Sequence, residues 1–170
     1  MKDVKYKIAI IEDLKEVAIS LQSYINKEDD MVCHHIYHNA EDAIAFIPKC
    51  DTNLVLVDIG LPRASGIDAI QSIKHIKPNI LFCMFTVYED DEKIFRSLQA
   101  GAKGYILKGA SKEKIVISLR ELAEGGSPMS PTIARKIIDI FNESKMQMQN
   151  YNLPLSTREI DLLNLLAKGL

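Results

Sequence analysis

Asn53-Leu-Val-Leu-Val-Asp58 reads as a short apolar strand that ends on a carboxylate. The same construction recurs on both sides of it. Lys7-Ile-Ala-Ile-Ile runs into Glu12-Asp13, Ile80-Leu-Phe-Cys-Met-Phe runs into Thr86, and Gly104-Tyr-Ile-Leu runs into Lys108. Each run ends on a residue able to hold a metal, a phosphoryl group or a proton. Strands this continuously apolar suit a parallel sheet covered by helices on both faces. In such sheets ligands bind beyond the carboxyl ends of the strands. One such ending is commonplace, but four point to a shared site.

Helical stripes fill the intervals. Ala18, Leu21 and Ile25 recur at helical spacing, as do Ala40, Ala43, Ile44 and Ile47 behind Asn39, a candidate N-cap. Met31 to Tyr37 forms a weaker strand. Gly66 to His75 carries Ile70 and Ile73, the next helix carries Ile94, Phe95 and Leu98, and Ser111 can cap a helix bearing Ile115, Leu119 and Leu122. This is a flavodoxin-like (βα)5 pattern, α/β and doubly wound. Right-handed crossovers favour the parallel strand order 2-1-3-4-5. That order places the ends of strands one and three side by side, with four and five beyond.

The pattern ends near Gly125-Gly126. Ser127-Pro-Met-Ser-Pro131 precedes a helical extension with Ile133, Ile137, Ile140 and Phe141, and Lys145 to Asn152 is polar, Gln/Asn-rich and expected to be flexible. A last helix opens at Leu155-Ser-Thr-Arg-Glu-Ile160, where Ser156 and Glu159 have capping-box spacing and Leu155 and Ile160 form a hydrophobic staple. The expected organisation is a domain over 5–126, a linker with one helix over 127–154, and the start of another helical unit over 155–170.

At 170 residues the chain has room for one full domain and an appendage. No apolar run approaches the roughly 18 residues of a membrane span, and the opening residues lack a secretory leader. A net charge of −2 gives no global electrostatic case for nucleic-acid binding. Cys33, Cys50 and Cys83 are irregularly spaced and read as buried thiols in a reducing cytoplasm. His34, His35, His38 and His75 have no metal-ligand spacing and read as surface or strand residues.

At the converging edge, Glu12, Asp13 and Asp58 would bring three negative charges within a few ångströms of one another. Like charges at that range raise a pKa or demand a cation. A half-open set of oxygen ligands suits Mg²⁺, and Lys108 adds a further positive charge. A carboxylate beside Mg²⁺ and a lysine can attack phosphorus and form an acyl phosphate. Thr86 could then donate a hydrogen bond to the phosphoryl group. Glu12-Asp13 could also serve the first helix through its dipole.

Residues 5–126 resemble the receiver domain of a bacterial two-component response regulator. The resemblance rests on Glu12-Asp13, on Asp58-Ile-Gly-Leu-Pro62 with Gly66, on Thr86, and on Tyr105 with Lys108. It implies that Asp58 accepts phosphate from a histidine kinase or phosphotransfer protein. It implies that Asp13 and Asp58 bind Mg²⁺ directly with the Gly60 carbonyl, Glu12 acting mainly through water. Lys108 would hold a phosphoryl oxygen, and Thr86 and Tyr105 would form the switch, although Tyr105 also reads as a core aromatic. Gly60 and Tyr88 would border the path of hydrolytic water. Many receivers carry proline after the lysine, whereas this chain has Gly109, so a trans bond and a looser loop are expected.

Residues 155–170 resemble the first helix of a LuxR-type (NarL/FixJ-class) helix-turn-helix output domain. The resemblance implies transcription regulation by a longer parent protein, with homodimerisation on phosphorylation and DNA binding that this chain alone should lack. A stand-alone, phosphorylation-dependent interaction module is the alternative. A phosphohydrolase is disfavoured, because Asp58-Ile-Gly lacks a second aspartate two residues on. The expected chemistry is that of a phosphoacceptor with at most slow self-dephosphorylation.

Overall fold

A computed structural model describes the backbone of residues 5–150 and the side chains of residues 5–144. The sheet has the expected parallel order, β2-β1-β3-β4-β5. Its strands are β1 (Tyr6–Ile11), β2 (Met31–Tyr37), β3 (Leu54–Val57), β4 (Leu81–Thr86) and β5 (Ala102–Leu107). The helices are α1 (Lys15–Ile25), α2 (Ala40–Phe46), α3 (Gly66–Ile76), α4 (Asp91–Ala100), α5 (Lys112–Ala123) and α6 (Pro131–Asn150).

The period of two along each strand sorts the apolar residues onto two faces. Ala9, Ile11, Val55, Val57, Phe82, Met84 and Tyr105 pack with Ala43, Ile70, Ile73 and Ile94 of α2, α3 and α4. Ile8, Ile10, Leu56, Cys83, Phe85 and Ile106 pack with Leu21, Ile25, Ile115 and Leu119 of α1 and α5. Most of the helical stripes read from the sequence are therefore faces that meet the sheet, whereas Phe141 of the last stripe is exposed and Phe95 lies outside both clusters. Of the three free thiols, Cys33 and Cys83 are buried as expected; Cys50 is only half-buried, because it follows the 3-10 turn Ile47–Lys49 at the edge of the fold, beside the Tyr37 hydroxyl at 3.5 Å.

Local capping explains where the helices begin. Asn39 accepts from the Asp42 amide and Ser111 from the Lys114 amide, as anticipated. Ser65 and Asp68 form a reciprocal capping box on α3, and Asp90 accepts from the Lys93 amide on α4. The helix α1 has no side-chain cap at Leu14; the Leu14 amide instead donates to Glu12 Oε1 at 3.2 Å. Gly101 ends α4 at φ 112°, a left-handed conformation costly for any residue with a Cβ.

The segment after α5 returns to the sheet. The Tyr105 amide donates to the Pro128 carbonyl at 2.8 Å, and Met129 makes an isolated parallel bridge to Tyr105. Ser130 then accepts from the Ile133 amide at 3.2 Å, with Pro131 in the first turn of α6. Ile133 is fully buried against the α2–α4 side of the sheet, and Lys136 pairs with Asp91 at 3.2 Å. The sheet unit runs to Ile137; a second unit begins at Ile138.

One expectation is corrected here. Lys145 to Asn150 was expected to be flexible, yet α6 continues through Asn150. No proline or glycine follows Pro131 in that helix, and Lys, Met and Gln propagate a helix once a capped start has nucleated it. The remainder of the expected linker and the helix expected over 155–170 lie outside the described residues. Among the described residues no helix is long and apolar enough to cross a membrane.

The far end of the sheet is held by Arg120 of α5. Its guanidinium donates to both oxygens of Asp30 at 2.8 Å and to Glu28 at 3.2 Å. The Asp30 carbonyl in turn accepts from the Lys5 and Tyr6 amides as β1 begins. The Arg120 hydrogen bonds hold the Asp30 carboxyl below the ordinary aspartate value of 3.8. Its stabilisation is thus present above that value and is lost as pH falls through the depressed one. Arg120→Met is expected to cost about 1 kcal/mol at neutral pH. In urea melts the gap from wild type should narrow below about pH 3.8; a gap independent of pH would contradict the pairing.

Candidate functional site

Main-chain pairing continues one residue past β1, β3 and β5 and sets the site. The Asp58 amide donates to the Ile11 carbonyl at 3.0 Å, the Lys108 amide to the Thr86 carbonyl at 3.0 Å, and the Glu12 amide to the Tyr37 carbonyl at 2.9 Å. The ends of all five strands take part, and Glu12, Asp58, Thr86 and Lys108 stand at one edge of the sheet. Behind them, His38 Nδ1 donates to the Glu12 carbonyl at 2.8 Å, a contact between distant segments that no spacing in the sequence announces.

Glu12, Asp13 and Asp58 each offer an oxygen within 4.8 Å of the others'. Glu12 is 1% exposed and Asp58 5%, whereas Asp13 reaches solvent. The Lys108 ammonium bridges the buried pair, 2.7 Å from Glu12 Oε2 and 2.8 Å from Asp58 Oδ2. Burial raises the Glu12 pKa, against the opposing hydrogen bond from Lys108. Burial alone would lower the lysine's, but hydrogen bonds to Asp58 and Glu12 outweigh it and the net shift is upward. Lys108 is therefore a firmly held cation.

Asp58 Oδ1 is buried with no hydrogen-bond partner among the described residues. A buried carboxylate oxygen left unpaired is costly. Three carboxylates against one ammonium also leave about two uncompensated negative charges, and the donors are all oxygen. These features fit a hard divalent cation such as Mg²⁺. Glu12, Asp13 and Asp58 each offer an oxygen that could hold it.

Thr86 is fully buried at the end of β4, its Oγ1 accepting from the Tyr88 amide at 3.4 Å. Among the described residues its own hydroxyl hydrogen has no acceptor. Tyr105 is fully buried in the core, and its hydroxyl donates to the Tyr88 carbonyl at 2.7 Å. Burial pushes this phenol's pKa well up, so it stays a donor. The Tyr88 side chain lies beside the site: its Cε2 is 3.3 Å from where a Cβ on Gly60 would stand, and Asp58 Oδ2 is 3.7 Å from the same point. Gly109, after Lys108, has no heavy atom within 4 Å of such a Cβ, and the described peptide bonds are all trans.

The loop between β3 and α3 supports Asp58 from below. Arg63 adopts φ 66°, and its guanidinium is held by both oxygens of Glu41 at 3.1 and 3.2 Å. Neither partner was singled out by the sequence, since the pair joins the β3–α3 loop to the first turn of α2. Gly66 is more constrained: a Cβ there would lie 1.9 Å from the Asp58 carbonyl oxygen.

Residues 8–120 match the family described as response regulator receiver domain. The chain is 30% identical over 172 residues to the uncharacterized transcriptional regulatory protein YxjL of Bacillus subtilis, a match that takes in 100% of this chain and 79% of the relative. It is 29% identical over 163 residues to the response regulator protein VraR of Staphylococcus aureus, with 96% and 76% covered. A two-component response regulator of the LuxR family from Aurantimonas superposes with a TM-score of 0.73 at 22% identity, covering 78% of this chain and 95% of that one.

Gly66→Ala is expected to destabilise the protein by about 1–3 kcal/mol, because the Asp58 backbone cannot yield without moving the site. Gly109→Ala, in open space, should leave the melting temperature unchanged or slightly higher. Equal melting of the two variants would remove the close approach from the account.

Proposed function

The chain belongs to the response regulator receiver family, and from that premise we propose that Asp58 is its phosphoacceptor. The observation that carries this reading is the Lys108 ammonium bridging Glu12 and Asp58 while Asp58 Oδ1 remains unpartnered. In the proposed reaction a carboxylate oxygen of Asp58 attacks the phosphorus of a phosphohistidine on a histidine kinase or phosphotransfer protein. The new bond is Asp58 oxygen to phosphorus; the bond broken is phosphorus to imidazole nitrogen, and the imidazole leaves with the electron pair and takes up a proton.

Lys108 neutralises charge on the transferring oxygens. Asp13, Asp58 and the Gly60 carbonyl would hold Mg²⁺, with Glu12 acting through water; when bound, the ion supplies charge stabilisation for the phosphoryl oxygens. Thr86, whose hydroxyl hydrogen is uncommitted, donates to the phosphoryl group. Tyr105 then reports the change, because its hydroxyl is bonded to the residue two beyond Thr86. The protein is a phosphoacceptor rather than a turnover enzyme, with slow self-dephosphorylation at most. Gly60 and Tyr88 border the approach of hydrolytic water.

For the rest of the chain we propose the assignment read from the sequence: a receiver over 5–126, a linker over 127–154, and over 155–170 the first helix of a LuxR-type output domain. The longer protein would act in the cytoplasm, dimerise on phosphorylation and control transcription by binding DNA. The similarity to YxjL, a transcriptional regulatory protein, supports this direction.

Incubation with acetyl phosphate and Mg²⁺ is expected to add one phosphoryl mass to the intact wild type and none to Asp58→Asn. Modification of both proteins, or of neither, would defeat the assignment. Separately, millimolar Mg²⁺ should raise the melting temperature of the wild type by mass action, and Asp13→Asn should abolish most of that rise. A response unaffected by Asp13→Asn would place the ion elsewhere.

A further inference from the structure

We propose that Lys93 is a positioning residue for retention of the phosphoryl group: its ammonium fixes the Tyr88 ring beside Gly60, where the ring screens Asp58 from water. The inference rests on Asp58 being the phosphoacceptor. Its own observation is the Lys93 ammonium 4.0 Å from the Tyr88 ring centroid. The other cation–π contacts among the described residues lie between 5.0 and 5.9 Å.

The backbone of Tyr88 is already committed. Its amide donates to Thr86 Oγ1 and its carbonyl accepts from the Tyr105 hydroxyl. The side-chain torsions remain, and the half-buried ring could swing between Gly60 and solvent. A cation on one face of the ring favours the position beside Gly60, since the ring quadrupole attracts it most strongly face-on. Lys93 is itself placed, because Asp90 caps α4 on the Lys93 amide at 3.1 Å and accepts from its ammonium at 3.1 Å. The cap of α4 thus holds the cation, the cation holds the ring, and the ring flanks the same Gly60 position as Asp58 Oδ2.

The step affected is hydrolysis. A water oxygen attacks phosphorus, the bond from phosphorus to the Asp58 oxygen breaks, the carboxylate is regenerated, and dihydrogen phosphate departs carrying both protons of the water. A ring that spends less time beside Gly60 leaves this approach open more often.

The test is the first-order decay of acetyl phosphate-loaded protein in Mg²⁺ buffer, followed by intact mass. Lys93→Met should lose its phosphoryl group about two- to fivefold faster, the ratio matching a cation–π contact at a partly exposed site. Lys93→Arg, which keeps the cation, should decay at nearly the wild-type rate. In a Tyr88→Ala background, already fast, Lys93→Met should add nothing. An unchanged rate in Lys93→Met, or the same acceleration with and without the ring, overturns the proposal while leaving the phosphoacceptor reading intact. Absence of any phosphoryl mass on the wild type removes both.

Discussion

Three carboxylates at neighbouring strand ends face a single lysine, and that imbalance governs the rest of the molecule. Glu12 and Asp58 are almost wholly buried, so their charges are tolerable only because Lys108 reaches both. Breaking a buried pair strands a charge in low dielectric, which is why such clusters are held by the main chain rather than by mobile loops. Here the strand ladders supply that rigidity: Ile11 pairs with Val57 and Thr86 with Leu107 at the strand ends that carry the site. The parallel fold is what allows four sequence-distant residues to meet.

Tyr105 stands between this acidic edge and the segment that leaves the domain. One end of the residue, its hydroxyl, is bonded to Tyr88 beside the site; the other, its amide, is bonded to Pro128. A ring buried to this degree packs in discrete arrangements rather than continuously. Any rearrangement of the Thr86–Tyr88 turn therefore changes a hydrogen bond of the residue on which the exit segment is paired. The sequence reading left Tyr105 open between core aromatic and switch, and the structure places the ring in the core. It is a core residue with polar commitments at both ends.

Much of this was legible in the sequence because it depends on short-range pattern. Apolar runs closed by Glu12-Asp13, Asp58, Thr86 and Lys108 announce both the parallel strands and the residues at their ends, and helical stripes such as Ile115, Leu119 and Leu122 announce the covering layer. Contacts between segments far apart in the chain were not legible. Nothing in the spacing joins His38 to the Glu12 carbonyl, Arg63 to Glu41, or Lys93 to the Tyr88 ring, since each needs the fold to exist first. The stretch from Lys145 to Asn150 misled for a different reason. Its composition is that of a loop, but helix propagation from a capped start outweighs composition when no breaker intervenes.

The pairing of Met129 on Tyr105 has a consequence for the sheet as a whole. Exposed strand edges invite pairing with foreign chains, and a five-stranded sheet has two of them. In this molecule the β5 side is shielded by the chain's own return at residues 128–129, with Ile133 plugged into the core immediately afterwards. Peeling that return away would bare an unsatisfied amide and an apolar socket in one movement, so detachment should be all-or-none rather than gradual. The connector is thus a protective hem for the β5 edge.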